Sequence, residues 1–534
     1  MKRQSGQEKR ASATSALWAC ALALTVAWSA PAQAAKWTAL TNPAPSAAGT
    51  MMLLTDGTVM VHGSPADTWM RLSPAANGSY ADGSWSTLAP MSTPRLYFAS
   101  HVLQSGKVWL LGGEYSGPGL PANWTNTGEV FDPVANSWSP IASHPEPMFG
   151  DDPSMLMAHG KILAGSLFSN NTYLYDVASD SWSFAAAKVY PDRSDEESWV
   201  KLPDSTVLTY DLWESVDRSG QFAEFYDQAS NKWTGVSPSD RTARGVIPPL
   251  SSAALGYELG PLLLVRGHGI DGRVFAVGAT GHTALYSPSR KLWAAGPDIV
   301  GTVGGVNALF GAADAPAAVM PSGHVLLAAD ASPALGTFHP PTRLFDFDPV
   351  ANKISPVSPA IPDPNLAVNS AYITRMLTLP TGEVLLVDGS QQLWIYTPDG
   401  KPEPSWLPIF AHAEYDGAGV FTVRGVRLNG TSAGSSYGDD AESDENYPIV
   451  RLSDAAGNVF YARTTNWSNT GVGRAVANET VDFTLQPGMT PGNYSMVVIG
   501  AGIASRPRCV TLTADQISGG ATGAGRPINC HGPQ

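Results

Sequence analysis

The sequence has few charges, and basic charges are the scarcer kind. Charged residues make up 15% of the 534, and 32 Lys and Arg stand against 46 Asp and Glu, giving a net charge of −14. No run of Lys or Arg follows the first ten residues. Because nucleic-acid-binding surfaces are basic, we expect no nucleic-acid partner.

Long apolar runs are also missing after the N-terminus. No later segment approaches the roughly 20 apolar residues of a membrane helix, so no membrane span is expected. The first 34 residues carry basic residues, then "ALWACALALTVAWSA", then "PAQAAKW". This order is typical of a secretion signal cleaved after Ala34. The sequence therefore predicts a secreted or periplasmic protein.

Cysteine is rare as well. After the predicted signal, which contains Cys20, only Cys509 and Cys530 remain. In an oxidising compartment these two are expected to form a disulfide. The alternative is two free thiols on a frayed Gly/Ala-rich tail, which the sequence suggests for residues 514–534.

Glycine and proline are abundant instead, at 53 and 43 residues, which favours many short strands. One pattern recurs seven times: an apolar strand, a turn and a second apolar strand, as in "MMLLTDGTVMVHG" and "LTLPTGEVLLVDG". The predicted turns lie 45 to 63 residues apart, at Gly57, Gly106, Gly160, Ser205, Gly260, Gly323 and Gly382. Kelch propeller blades repeat at about 50 residues.

The second half of each repeat is as regular, with "VFDPVANSW" and "LYDVASDSW" as examples. Its tryptophan is predicted to lie on a fourth strand and pack between blades; the positions are Trp138, Trp182, Trp233, Trp293 and, in one repeat, Ile354. "KWTAL" at 36–40 resembles a fourth strand standing alone. It is expected to complete the seventh blade and so close the ring.

The fold class predicted from these patterns is all-β: a seven-bladed kelch-type β-propeller over residues 35–410, followed by a second domain. Segments such as "GVFTVRGVRL" and "GNYSMVVIGA" alternate apolar and polar residues over 411–513. That alternation favours an Ig-like (early-set) β-sandwich.

Together with "PRLYFASHVLQSGKVWLLGGEYSG", this arrangement resembles the galactose oxidase and glyoxal oxidase group of radical-copper enzymes. The resemblance covers most of the mature chain. It implies that Tyr97 occupies the radical position and that Tyr115 is the aromatic residue stacked over it. Tyr372 matches the second, axial tyrosine.

The resemblance also implies metal ligands that this sequence lacks. The family joins its radical tyrosine to a cysteine, and the matching stretch "PSAAGTMMLLTDG" contains none. The expected histidine after Tyr372 is Ile373, and the one from the second domain is matched by Asn466. Copper(II) prefers imidazole and oxygen donors. We therefore predict no copper, although the acidic loops leave Ca²⁺ open as a ligand.

Loops that enter the innermost strands of a propeller converge on one funnel, so their polar and aromatic residues are candidates for the site. Predicted catalytic residues are Tyr97, Tyr372, Asp151, Asp152, Glu196 and Glu197. Predicted ligand-binding residues are Arg95, Tyr115, Phe149, Trp199, Arg244, Asn307, Arg375 and Asn466, with Met148, Asp195 and Phe310 as further candidates.

Converging carboxylates raise one another's pKa and serve as general acid and base, while arginines and tyrosines suit a sugar. The alternative is that these acids cap turns and form local ion pairs. The sequence thus predicts a monomer that binds or processes, without redox chemistry, a carbohydrate or cell-envelope ligand. Two alternatives stay open: an oxidase with an unrecognised metal site, and an isomerase, lyase or hydrolase that uses the funnel carboxylates.

Overall fold

Seven antiparallel sheets form the first part of the chain, six with four strands and one with a fifth strand added from residues 435–437, which confirms the seven-bladed propeller. The computed structural model describes residues 34–217, 222–236, 249–266, 272–437, 446–473 and 478–530. The predicted signal and Arg244 lie outside the described residues. No described helix is long and apolar enough to cross a membrane.

Each blade runs from an innermost strand to an outermost one. The strands are, for blade 1, Met51–Leu53, Val59–His62, Trp69–Ser73 and Ser84–Thr87; for blade 2, Ala99–Val102, Val108–Leu111, Gly128–Asp132 and Ser137–Ile141; for blade 3, Ser154–Met157, Lys161–Ala164, Asn171–Asp176 and Ser181–Ala187; for blade 4, Trp199–Lys201, Val207–Asp211, Phe222–Asp227 and Lys232–Val236; for blade 5, Leu259–Val265, Arg273–Gly278, Thr283–Ser287 and Leu292–Ala295; for blade 6, Pro316–Val319, Val325–Ala329, Arg343–Asp348 and Lys353–Pro356.

Blade 7 contains Arg375–Thr378, Val384–Val387, Trp394–Thr397 and, from the other end of the chain, Lys36–Ala39. Lys36 pairs with Thr397 and Ala39 with Trp394. The prediction that "KWTAL" closes the ring is therefore confirmed. Closure pairs the edge that blade 7 would otherwise leave open.

Tryptophans on the outermost strands of blades 1, 2, 3 and 7 join neighbouring blades through one repeated hydrogen bond. The indole N–H of Trp138 donates to the carbonyl of Ala89 at 2.8 Å, and that of Trp182 donates to Ala142 at 2.9 Å. Each acceptor lies just past the outermost strand of the preceding blade. In the closing strand, Trp37 donates to Pro359 at 3.1 Å, so it occupies the same structural position. Trp233 instead donates to the Thr172 hydroxyl at 3.0 Å, and the indole N–H of Trp293 has no acceptor among the described residues.

One predicted turn is wrong. Gly260 does not form the hairpin turn of blade 5, because it lies inside the innermost strand Leu259–Val265. The strand continues through "LLLV", and its partner begins at Arg273. The Gly-rich stretch "GHGIDG" therefore joins the two strands, with residues 267–271 outside the described part of the chain.

Strands beyond the propeller form a second antiparallel unit. In order across the sheet they are Ile503–Ala504, Gly492–Gly500, Ile449–Ser453, Val459–Thr465, Glu479–Thr484, Val420–Val426, Ile409–Tyr415 and Arg526–Pro527, with Arg508–Leu512 also paired to Gly492–Gly500. Cys509 and Cys530 form a disulfide, as predicted. The residues assigned to a tail contribute a helical turn, Ala514–Ile517, and a strand.

Short elements complete the description: the helices Leu212–Asp217 and Ser332–Leu335, the 3-10 turns Ala158–Gly160, Asn365–Ala367 and Ala371–Ile373, and the paired strands Arg95–Leu96 with Tyr115–Ser116 and Val300–Val303 with Val306–Leu309.

The C-terminal unit packs on the face of the ring that carries the turns after the innermost strands. Gly57, in the blade 1 turn, has φ +75°, and a Cβ there would lie 2.4 Å from the Tyr461 ring. Buried side chains of blades 1 and 7 form one apolar core with the C-terminal strands. The opposite face, where the innermost strands begin, is left for a site.

We predict that the indole hydrogen bond of the closing strand contributes to ring stability. Trp37→Phe keeps an aromatic ring against Tyr396, whose centroid lies 4.7 Å away, but leaves the Pro359 carbonyl without its donor. The expected loss in the free energy of unfolding is about 0.5–1.5 kcal/mol. Denaturant unfolding measures it.

Trp406→Phe is the control, because the indole N–H of Trp406 makes no hydrogen bond among the described residues. An equal loss in both variants would contradict a specific role for the Trp37 bond.

Candidate functional site

Acidic or aromatic residues lie just before the innermost strands of six consecutive blades. Tyr97 precedes blade 2 and Tyr372 precedes blade 7. Between them, blades 3 to 6 are preceded by carboxylates: Asp151 with Asp152, Asp195 with Glu196, Glu258, and Asp314. Because innermost strands contact their neighbours around the ring, these positions meet at one face.

A cavity of about 620 Å³ opens at this face. Its lining comes from several blades and consists of Leu96, Tyr97, Glu114, Tyr115, Leu120, Asp151, Glu196, Glu258, Asp314, Phe338, Ser370 and Tyr372. The size matches pockets that hold small molecules. Tyr97, Tyr115, Asp151, Glu196 and Tyr372 are thus the predicted residues that the structure brings together.

Aromatic rings form two parts of the wall. Tyr97 and Tyr115 meet edge to face with centroids 6.1 Å apart, and Phe338 meets Tyr372 in the same way at 5.1 Å. Tyr97 has φ 52°, a backbone conformation unusual for a residue with a side chain. Strain of this kind is often found at functional sites.

A strand from the C-terminal unit enters the centre of the ring and supports Tyr372. Ser435–Tyr437 pairs with blade 6, setting Tyr437 opposite Pro316. The Tyr437 hydroxyl donates to the backbone carbonyl of Tyr372 at 3.0 Å. Arg375 donates to the same carbonyl at 2.6 Å and lies 3.3 Å over the Tyr437 ring. The predicted residue Arg375 therefore holds Tyr372 in place.

Five carboxylates line the cavity, and four of them form, with the neighbouring Asp195, two overlapping groups. Oxygens of Asp151, Asp195 and Glu196 lie within 4.8 Å of one another, as do those of Glu196, Glu258 and Asp314. Glu196 belongs to both groups. The expected convergence of acids from neighbouring blades is met by Asp151 and Glu196.

Burial and mutual repulsion raise the pKa values of three of these acids. Burial, and then the charge of Asp151, raises the pKa of Glu114 to about 7. Burial raises the pKa of Asp151 to about 6, partly offset by the hydrogen bond from the Trp124 indole. Burial raises the pKa of Asp195 to about 7 although Arg193 opposes the shift. Carboxyls in this range suit proton transfer near neutral pH.

The second member of each predicted acidic pair points away from the cavity. Asp152 is fully buried, and its carboxylate accepts from the Gly150 N–H at 3.3 Å. Glu197 is also fully buried and pairs with the buried ammonium of Lys188 at 2.7 Å. Lys188 contacts Asp192 at 3.2 Å and Asp211 at 3.4 Å as well. This network holds the loop that carries Glu196.

Other predicted ligand-binding residues serve the framework. Arg95 is 1% exposed, pairs with Glu129 at 3.1 Å and donates to the Gly112 carbonyl at 2.7 Å. Phe149 is fully buried, and Phe310 likewise. Trp199 is buried and donates to Glu197 at 3.2 Å. The sequence could not separate these residues from those of the lining.

Two further predicted residues lie elsewhere. Asn307 is exposed on the hairpin between blades 5 and 6. Asn466 lies at the junction with the C-terminal unit, where its N–H donates to the Gln104 carbonyl and its side chain donates to Asp482. The C-terminal residue beside Tyr372 is instead Tyr437. Met148 is 37% exposed and does not line the cavity.

Seven lining residues were missed: Leu96, Glu114, Leu120, Glu258, Asp314, Phe338 and Ser370. For Glu258 and Asp314 a signal existed, since each precedes an innermost strand, as the predicted acids do. The misplaced turn at Gly260 hid Glu258. Phe338 and Ser370 come from connections outside the repeat, and no sequence pattern marks them.

The lining does not match the copper ligands that the family resemblance implies. Among the described lining residues the polar groups are carboxylates, phenols and one hydroxyl, without an imidazole or thiolate. Copper(II) sites in proteins draw on imidazole nitrogen, and the radical site adds a cysteine bonded to the tyrosine. Oxygen-only sets of this kind suit harder ions.

Comparison with known proteins identifies the repeat. The family described as the kelch motif matches residues 95–145, which cover blade 2. An F-box/kelch-repeat protein of Arabidopsis thaliana is 40% identical over 62 residues, 12% of this chain and 17% of the relative. The chain therefore spans only a small part of that relative's length. This protein is a kelch-motif, seven-bladed propeller.

The solved structures to which the chain is similar are distant from it. A fungal alcohol oxidase of the AA5 family, in complex with copper, is 15% identical over 87% of this chain and 85% of its own, with a TM-score of 0.36. YjhT is 13% identical over 60% of this chain and 99% of its own, with a TM-score of 0.39. Neither neighbour defines an activity for this chain.

The raised pKa of Glu114 predicts a specific pH dependence. An acid whose native pKa lies above its ordinary value of 4.5 stabilises the fold at low pH, and that contribution is lost as pH rises to about 7. Glu114→Gln should therefore lose less stability than the wild type between pH 5 and pH 8. We expect a difference of a few degrees at most, since Glu114 is half-buried.

Thermal unfolding at both pH values measures this, with the exposed Glu403→Gln as the matched control. If the unfolding temperatures of wild type and Glu114→Gln change equally between the two pH values, the raised pKa of Glu114 is contradicted.

Proposed function

We propose that the funnel of this secreted propeller binds a small polyhydroxylated ligand, such as a carbohydrate or cell-envelope sugar, without radical-copper chemistry. The observation that carries the proposal is the cavity of about 620 Å³, whose wall combines aromatic rings with carboxylates. Ring faces pack on the C–H faces of a sugar, and carboxylate oxygens accept from its hydroxyls. Such a pocket offers many acceptors in a small space.

The rest of the chain supports a role outside the cytoplasm. The disulfide between Cys509 and Cys530 suits an oxidising compartment, and the N-terminal pattern suits secretion. We propose that the C-terminal strands form an Ig-like sandwich and that the protein acts as a monomer. The strand Ser435–Tyr437, which pairs with blade 6, then helps to shape the funnel.

A second candidate is an isomerase, lyase or hydrolase that uses the funnel acids. Glu114, with a pKa of about 7, hydrogen-bonds Tyr115 and lies near Asp151, with a pKa of about 6. Two carboxyls that titrate near neutrality supply both a proton donor and an acceptor. An oxidase remains the third reading, and it requires stoichiometric copper in the purified protein.

The binding proposal is tested by a glycan array followed by calorimetry on the best sugar. Tyr372→Ala removes one ring of the wall and should weaken binding about 5- to 10-fold. Phe184→Ala removes an exposed ring on blade 3, far from the funnel, and should leave affinity unchanged. Equal affinities for both variants and the wild type would place binding elsewhere.

The catalytic candidate is tested by following the same sugar in solution by NMR. Glu114→Gln and Asp151→Asn should each reduce turnover at least 100-fold while the sugar still binds. Turnover unchanged in both variants would dismiss acid–base chemistry by these groups. Copper at one equivalent per chain, with a cupric EPR signal, would replace both readings with the oxidase.

A further inference from the structure

The charge of the cavity is unbalanced. Five carboxylates line it, and the guanidinium groups nearby are committed elsewhere. Arg193 pairs with Asp195 at 2.8 Å and lies 3.5 Å over the Trp213 ring. Arg375 stacks on Tyr437 and donates to backbone carbonyls. No Lys or Arg is among the described lining residues, so the pocket presents negative charge to its ligand.

A buried carboxylate oxygen at the cavity accepts no hydrogen bond among the described residues. It is Glu258 Oε2, on a side chain that lines the cavity beside Glu196 and Asp314. A buried acceptor without a donor is costly. A donor that enters with the ligand would offset that cost.

Aromatic rings give an independent indication of the ligand's chemistry. Tyr97, Tyr115, Phe338 and Tyr372 expose rings to the same cavity as the carboxylates. The face of an aromatic ring attracts an organic cation, and ammonium ligands are recognised by rings combined with acids. A bare metal ion gains little from such rings. It would also leave most of a 620 Å³ cavity unfilled.

From these observations we infer that the ligand of the funnel is an amine-bearing, polyhydroxylated molecule, whose ammonium group is held by Glu196, Glu258 and Asp314. This inference rests on the proposed function and narrows its ligand class. The hydroxyls contact the remaining acceptors, and the sugar ring packs on the tyrosines. The pocket then discriminates against anionic ligands, because the ionised carboxylates of the lining repel them.

Three monosaccharides with the same ring isolate the effect of charge: glucosamine, glucose and glucuronate. Calorimetry at pH 6.5 should show glucosamine binding about tenfold more tightly than glucose, with glucuronate weakest. Glu258→Gln and Asp314→Asn should each remove most of this preference, because each weakens glucosamine binding more than glucose binding. Glu403→Gln, the same chemical change at an exposed site, should leave the preference intact.

Each other result overturns the inference. Equal affinity for glucosamine and glucose overturns the amine but leaves the proposed sugar site standing. Tightest binding of glucuronate does the same. Saturable Ca²⁺ binding that Glu258→Gln abolishes, without any glucosamine binding, would show a metal site instead. Absence of binding by all three sugars would overturn both this inference and the proposed function for monosaccharides.

Discussion

Four of the seven blade junctions depend on the same interaction, a hydrogen bond from an outermost-strand tryptophan to the preceding blade. It recurs with nearly the same length for Trp85, Trp138 and Trp182, and Trp37 makes it across the closure. Each bond fixes the angle between adjacent sheets, because the indole is packed and its acceptor lies on a connecting segment. Asn136 and Asp180 add a second bond in two of these junctions. The ring, and with it the relative position of the innermost strands, follows from this repetition.

Because the ring is rigid, it can hold carboxylates close together even though they repel one another. Carboxylates that meet within 4.8 Å repel one another, and free loops would move apart. Here the loops are restrained from beneath by groups that never reach the cavity. Lys188 holds the turn of Glu196 through Glu197, while Arg375 and Tyr437 hold Tyr372. Carboxylates that repel one another stay this close only if their loops are held rigidly, and the buried ion pairs hold these loops.

Much of this architecture could be predicted from the sequence, because each repeat has the same pattern of strands, turns and aromatic residues. The closing strand, the interblade tryptophans and the tyrosines of the funnel all follow from position within a repeat.

Prediction failed where the repeat is broken. The blade 5 turn was misplaced because "LGPLLLV" offers a glycine inside a continuous apolar strand, and Glu258 was missed with it. Residue types common in binding sites occur at Arg95, Glu197 and Trp199. Their hydrogen-bond and ion-pair partners come from other segments of the chain, which local sequence patterns do not reveal. The position of Tyr437 depends on how the C-terminal unit docks, which no repeat encodes.

The pairing of Lys36 with Thr397 joins residues 361 positions apart. During synthesis the closing strand therefore leaves the ribosome long before its partner strand in blade 7. Almost the whole propeller must be made before the two can pair. Until then the strand Lys36–Ala39 and the edge strand Trp394–Thr397 of blade 7 are unpaired and exposed to other nascent chains. Long-range closure of this kind slows folding, so the ring forms only after translation of its last blade is complete.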